Sequence, residues 1–250
     1  MARQARQRSE TGIYHIMLKG IDDRNIFLEY EDKTVFLEKL VKIKETVNFK
    51  LFGYCLMDNH VHLLMEESEE IGTSIKRITV SYVHWHNNKY GRKGHLFQNR
   101  YLSEPVESEK YLLAVLRYIH QNPLKAMIVE RLEDYKWSSY NQYILLYYCQ
   151  KAHIDGELII SSLGAFDEFQ NFMKLPDNQK FIEYSIAEKY SDEKLRKIIH
   201  ENFFLCSISD LPMEERGKKI KEIYRGTGAS IRQLGRVLGV GKGVVEKAIR

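Results

Sequence analysis

Apolar and polar positions along the first half of the chain change period several times, and the order of those changes is informative. Ile13-Tyr14-His15-Ile16-Met17-Leu18 is a short apolar run between Gly12 and Gly20, which predicts a strand. Residues 31–47 place Val35, Phe36, Leu40, Ile43 and Val47 at helical spacing. Residues 50–57 and 60–66 are two further apolar runs flanking Asp58-Asn59, the pattern of a β-hairpin. Residues 72–88 return to a helical period through Ile75, Ile78 and Val83. Residues 96–106 read as a fourth strand ending near Pro105. Residues 108–121 read as a helix capped by Ser108, with Pro123 marking its end. The order is β-α-β-β-α-β-α. Its first six elements fit an α+β fold of the ferredoxin-like, split βαβ kind: an antiparallel sheet with helices on one face.

Beyond Tyr140 the periodicity loosens. Residues 141–205 contain several helical stretches around Pro176-Asp177-Asn178. The end of the chain is sharper. Lys218 to Tyr224 is a short helical pattern, and Ala229 to Leu238 is a second. Gly239-Val240-Gly241 then interrupts before Lys242 to Arg250 resumes, the outline of a helix-turn-helix. The expected division is a domain at 1–143, a helical linker region at 144–212 and a helix-turn-helix module at 213–250.

Composition narrows the class without selecting a function. A chain of 250 residues suits one large domain or a domain with a smaller module. Its 44% hydrophobic and 29% charged content is ordinary for a soluble globular protein, and the net charge of +4 does not demand a polyanionic partner. Cys55, Cys149 and Cys206 are widely spaced and form no CxxC, which suggests free thiols in a reducing compartment. No apolar run approaches the roughly 18 residues of a membrane span, and the basic start of the chain lacks the apolar core of a signal peptide. The cytoplasm is the expected location, with no membrane partner.

Two motifs carry chemistry. The first is Met57-Asp58-Asn59-His60-Val61-His62-Leu63-Leu64. On a strand, residues i and i+2 share a face, so His60 and His62 project side by side while Val61 points the other way. Paired neutral imidazoles suit transition metals, and an added oxygen ligand moves the preference toward harder ions such as Mg or Mn. The H-x-H-x-D spelling of metallo-hydrolases fails because position 64 is leucine. His84-Trp85-His86 repeats the H-x-H spelling inside a predicted helix, where i and i+2 diverge by about 200° and cannot easily share a metal. His95 lies beside a basic glycine loop, and His15 and His120 read as bystanders. The second motif is Arg117-Tyr118-Ile119-His120-Gln121-Asn122-Pro123. Gln121 and Asn122, at i+3 and i+4, fall roughly on the face of Tyr118. A phenol with a pKa of about 10 is a poor nucleophile until something activates it or its target. The residue before a proline is biased away from helical geometry, which keeps Gln121 in reserve beside Asn122. Taken singly, each motif also fits a bland reading: sheet-surface histidines, a packing tyrosine and a capping asparagine.

Together, the motifs resemble the IS200-like transposases, and most closely the REP-associated tyrosine transposases. The resemblance runs from about Arg8 to Tyr143. It includes Gly12-Ile13-Tyr14-His15-Ile16, Asn25-Ile26-Phe27, Gly94-His95-Leu96-Phe97-Gln98-Asn99-Arg100-Tyr101, Lys125-Ala126 and Trp137-Ser138-Ser139-Tyr140. It implies an HUH endonuclease core that cuts single-stranded DNA, often beside a hairpin. Tyr118 would be the nucleophile that becomes linked to the 5′ phosphate. His60, His62 and Asn122 would be the metal ligands, and the ion Mg or Mn. Reversal of the attack by another 3′ hydroxyl would rejoin strands. Two departures stand out: Leu18-Lys19-Gly20-Ile21-Asp22-Asp23-Arg24 where relatives often have Arg-Gly-Asn, and Asp58 where proline is common.

The DNA partner, single-stranded or hairpin, would meet a phosphate-facing surface of Arg3, Arg6, Arg8, Lys76, Arg77, Arg92, Lys93 and Arg100, with Lys242 and Lys247 on the terminal module. The leading reading is a metal-dependent single-strand DNA transesterase. The alternatives are a non-catalytic DNA-binding regulator built on a transposase core, and a metal hydrolase of small molecules, which leaves the tyrosine without a role. Both a monomer with its own active site and a homodimer exchanging tyrosine helices are compatible with the sequence.

Overall fold

The computed structural model describes residues 6–98, 100–176, 181–182, 192–205, 207–227 and 229–249. Arg3, Asp177, Asn178 and Cys206, named above, lie outside them. Strands β1 (Ile13–Lys19), β2 (Lys50–Leu56), β3 (His60–Glu66) and β4 (Leu102–Pro105) are interleaved with helices α1 (Tyr30–Val47) and α2 (Ile71–Lys89). The strands form one antiparallel sheet in the order β2-β3-β1-β4, the arrangement of the split βαβ fold. The register assigns the two faces. Lys19 pairs with His60, Met17 with His62 and His15 with Leu64, while Cys55 and Gly53 flank His62 and Leu64 from the other side. Those side chains share one face. Ile16, Leu18, Val61 and Leu63 take the other and are fully or nearly fully buried. The two crossover helices belong to this apolar face and meet through Phe36 and Tyr82, whose rings lie 5.1 Å apart.

The histidine face is covered by α3 (Glu109–Lys125), which Ser108 caps by accepting the Tyr111 N–H. This helix outlasts its expected end. Pro123 lies inside it and Lys125 closes it, because the N–H that proline lacks falls in the last turn, which Ala126 N–H to Asn122 O still closes at 3.0 Å. The fourth strand is shorter than the expected 96–106. Ile21 donates to Leu96 O and Gln98 to Lys19 O, so residues 96–98 fold over the end of β1 as a loop before the ladder begins at Leu102.

Residues 144–174 are not a linker. Helices α4 (Tyr140–Tyr147), α5 (Glu157–Leu163) and α6 (Phe166–Lys174) extend the sheet domain. Tyr143, buried against Phe169, donates its hydroxyl to Phe52 O where β2 shifts register, and Tyr135 donates to Leu56 O. Leu56 N–H donates to Trp137 O, and Ser139 N–H to Tyr54 O, so the segment covers the free edge of β2. The packing therefore divides the chain into Met1–Tyr184 and Ser185–Arg250, not at 143 and 212. The second unit contains α7 (Asp192–Phe203), α8 (Met213–Thr227), α9 (Ile231–Leu238) and α10 (Lys242–Ile249) around Leu195, Ile199, Ile220, Ile223, Leu234 and Val245. Helix α8 starts ahead of the expected Lys218 because its first turns are polar helix formers with no apolar period. Cys55 and Cys149 are free thiols. No helix among the described residues is long and apolar enough to cross a membrane.

One glycine sets the spacing between layers. A Cβ on Gly53 would lie 2.5 Å from Leu116 Cδ1, so α3 rests on the sheet where β2 has no side chain. Gly53→Val is expected to overpack this contact and cost about 1–3 kcal/mol in chemical denaturation, with α3 displaced. Unchanged stability would refute the close-approach argument. A second expectation follows from the buried histidines. Burial lowers His15 and His120 from 6.5 to about 3. Between these values the unfolded chain binds protons that the native state refuses. Native stability is thus full above pH 6.5 and falls as pH drops through this window, by up to about 1.4 kcal/mol per pH unit for each histidine. Thermal melts of the metal-free protein from pH 8 to 4 check this, and a flat profile contradicts it.

Candidate active site

Strand parity and the seating of α3 bring three of the sequence-selected residues together. The His60 and His62 rings are 5.0 Å apart and perpendicular. The Tyr118 ring meets His62 edge-on at 5.5 Å, in the same chain. Tyr118 is buried, with Phe181 stacked on it at 4.4 Å and Lys125 Nζ 4.5 Å from its ring centre. Asn122 turns its amide nitrogen to the Tyr118 carbonyl at 2.9 Å, so any ligand role falls to Oδ1. Gln121 is occupied elsewhere: its amide donates to Met173 O and Leu175 O, tying α3 to α6.

A hydrogen bond orients one imidazole and burial shapes the other. His60 Nδ1 lies 2.7 Å from Asn59 Oδ1, an acceptor, which keeps the ring proton on Nδ1 and the lone pair on Nε2. His62 is fully buried and its pKa is held well below the usual value, first by burial and then by His15, His60 and Lys125. Its Nε2 is buried without a hydrogen-bond partner. A buried polar atom of this kind calls for an explanation, and a cation accepting its lone pair supplies one. Among the described residues no group of three or more His, Cys, Asp or Glu side chains is arranged to hold a metal ion. A set built on His60 and His62 would need a donor of another type, such as an amide oxygen. The donor chemistry fits a divalent ion on these terms.

His15 was not legible as part of this cluster. Its Nε2 lies 3.0 Å from His62 Nδ1, and its ring is 5.9 Å from Tyr118. The other histidines separate as helix and strand geometry require. His86 is buried between Tyr82 and Tyr90, while His84 faces outward, 3.3 Å from Asn88. His120 bonds Ser139 Oγ at 2.7 Å within the core.

The basic residues sort into distinct settings. Arg6, Lys76 and Arg100 line an open groove of about 610 Å³ with His84, His95 and Tyr101, and no carboxylate lines it. Arg6 lies over the Tyr101 ring at 3.7 Å. The groove is floored by Leu18, so it opens on the sheet face opposite the histidines. Arg77 is instead paired with Glu69 at 3.1 Å. Arg8, Lys93 and Lys247 are exposed, Arg92 is half-buried, and the exposed Lys242 pairs with Glu246 at 3.1 Å. Asp58, one of the departures noted above, is paired with Lys33 at 2.7 Å at the tip of the β2–β3 hairpin.

Comparison with known proteins agrees with this arrangement. Residues 9–122 match the family model of IS200-like transposases. A REP-associated tyrosine transposase of Haemophilus influenzae is 26% identical over 107 residues, an alignment covering 38% of this chain and 60% of that protein's length. The solved structure of a REP-associated tyrosine transposase bound to a REP hairpin superposes with a TM-score of 0.50 at 16% identity, over 57% of this chain and 84% of that one. That likeness shows the shared fold. Residues 9–122 are thus similar to the IS200-like transposases, with a REP-associated tyrosine transposase among the similar proteins.

Proposed function

We propose that the N-terminal unit cuts and rejoins single-stranded DNA near hairpins through a covalent phosphotyrosine. The observation that carries this reading is the meeting of His60, His62 and Tyr118 within one chain. In the proposed reaction Tyr118 Oη attacks a backbone phosphorus. The tyrosine–phosphate bond forms, the bond to the 3′ oxygen breaks, the phenolic proton passes to solvent and the departing strand leaves as a 3′ hydroxyl. One phosphoester replaces another, so the step needs no external energy source and reverses when a different 3′ hydroxyl attacks. A divalent ion, Mg or Mn, held by His60, His62 and Asn122 Oδ1 would polarise the phosphate and offset its growing charge. The Lys125 ammonium, 4.5 Å from the Tyr118 ring centre, places positive charge beside the proposed nucleophile. Phe181 covers a ring face of Tyr118, which leaves the chemistry to the phenolic oxygen at the ring edge.

DNA held outside the reacting centre has two candidate surfaces. The groove of Arg6, Lys76 and Arg100 combines cations for phosphates with Tyr101 and Phe97 for unpaired bases. In the second unit, α9 begins at the Ser230 cap and ends at Gly239, whose φ of 68° turns the chain into α10 with Lys242 and Lys247 exposed. That geometry supports a helix-turn-helix module and also favours the runner-up reading, a DNA-binding regulator without catalysis.

Incubation with Mn or Mg and labelled hairpin-bearing single strands from the protein's genomic neighbourhood is expected to give a denaturation-resistant protein–DNA adduct. The adduct disappears in Tyr118→Phe, and His60→Ala still binds DNA without cutting it. An adduct that survives Tyr118→Phe would sink the mechanism, and tight binding with no adduct on any such strand favours the regulator. Mixing Tyr118→Phe with His62→Ala is expected to restore nothing, since the site is assembled in one chain; recovered activity would show exchanged helices. Lys76→Glu should weaken strand binding and lower its salt slope by about 1, in fluorescence anisotropy across a salt series. An unchanged slope removes the groove from the DNA path.

A further inference from the structure

His62 cannot choose its own tautomer. Its Nδ1 faces His15 Nε2 at 3.0 Å, and one proton lies between the two nitrogens when both rings are neutral. If that proton belongs to His15, His62 carries its own proton on Nε2, a buried donor with no acceptor. His15 Nδ1 then turns a lone pair toward a carboxylate, Glu104 Oε2, 4.0 Å away. If the proton belongs to His62, both conflicts vanish. His15 Nδ1–H points at Glu104 Oε2, and His62 Nε2 presents its lone pair. The sheet is built for this alignment. His15 on β1 is the direct partner of Glu104 on β4, and β3 lies on the other side of β1. The Tyr111 hydroxyl of α3 donates to Glu104, and the phenol's pKa is raised by burial first and by that bond second. Glu104 Oε2 and His15 Nδ1 are both buried without a hydrogen-bond partner, and at 4.0 Å they face each other across a gap that a small side-chain adjustment closes.

We infer that Glu104 and His15 form a positioning relay that fixes His62 as the Nδ1–H tautomer and thereby aims its Nε2 lone pair into the site. Asn59 does the same for His60 in one step. Neither His15 nor Glu104 needs to touch the substrate. A hydrogen-bond partner behind a histidine ligand, here His15, fixes the ligand's orientation and raises its basicity, and losing such partners weakens metal affinity by about 10- to 100-fold. The relay rests on the reading of His62 as a metal ligand, but the tautomer is measurable without any metal.

The experiment uses the full metal-free chain with ¹⁵N-labelled histidine and long-range ¹H–¹⁵N correlation spectra, His62 being assigned with His62→Gln. His62 and His15 are both expected as Nδ1–H tautomers. Glu104→Leu, at a partly exposed position on the edge strand, is expected to populate the Nε2–H form of His62 and to weaken Mn binding about tenfold or more by calorimetry. Glu104→Gln, which keeps an acceptor, restores most of both, and His15→Gln restores more than His15→Leu. A wild-type His62 protonated on Nε2 overturns the relay at once. So does Mn binding that is lost in His62→Gln but unaltered in both Glu104→Leu and His15→Leu. Equal Mn binding by wild type and His62→Gln overturns the metal-strand reading instead, leaving the tautomer result to judge the relay by itself.

Discussion

The seating of α3 on the histidine face of the sheet is the contact on which the rest of the molecule depends. A ferredoxin-like sheet with two crossover helices buries one face and leaves the other to be covered. Here that second face carries His15, His60 and His62 beside Gly53, Cys55 and Leu64. Covering it with a helix makes buried histidines unavoidable, and the missing side chain at Gly53 lets Leu116 come down close enough for Tyr118 to meet His62. One packing event therefore does two things. It completes the core, and it leaves His15 and His62 as desolvated imidazoles with lowered pKa next to a phenol. The same dryness explains the acid sensitivity expected of the fold, since a site that keeps its histidines unprotonated does so at the expense of stability at low pH.

How much of this was legible depended on whether the signal was local. His60 and His62 followed from strand parity alone, and helix geometry dismissed His84 and His86, of which one lines the groove and the other lies in the core. His15 was not legible. Its closeness to His62 depends on β1 and β3 being neighbours in a stated register, which joins residues 47 apart in the chain. Glu104 is a harder case: a charged residue in a short edge strand looks like solvent-facing polarity until the pairing with His15 is known. The orientation of Gln121 also waited for tertiary contacts, because its amide nitrogen is claimed by carbonyls more than fifty residues later. Proline at 123 misled for the opposite reason, a sound local rule losing to a helix whose last turn tolerates it.

The expected linker after residue 143 failed through the limits of periodicity. Helices α4 to α6 are short, and what binds them to the sheet is a set of aromatic and hydroxyl contacts rather than an apolar stripe. Tyr140, Tyr143 and Tyr147 all pack on Phe169, while Tyr135 and Tyr143 donate to carbonyls of β2. Tyrosine serves here as an apolar body with a polar tip, so its abundance reflects edge protection and packing. Trp137-Ser138-Ser139-Tyr140 has the same explanation: its backbone pairs with β2 and closes the sheet edge.

The two features assigned to DNA lie on opposite faces of one sheet, and β1 is the element that joins them. Leu18 floors the basic groove, while Lys19, the next residue, points to the other face opposite His60. A strand bound to both must pass around the end of β1, where Gly20 bridges Phe97 and accepts no side chain in the space taken by the Arg24 carbonyl. On that rim Asp22 and Asp23 take left-handed backbone, and Asp23 is paired with Lys19. Asp58 lies close by in the chain fold, its carbonyl accepting the N–H groups of Ile26 and Phe27. On the proposed reading, the carboxylates of Asp23 and Asp58, each offset by a lysine, would bear on the path of a strand around this turn and not on the chemistry.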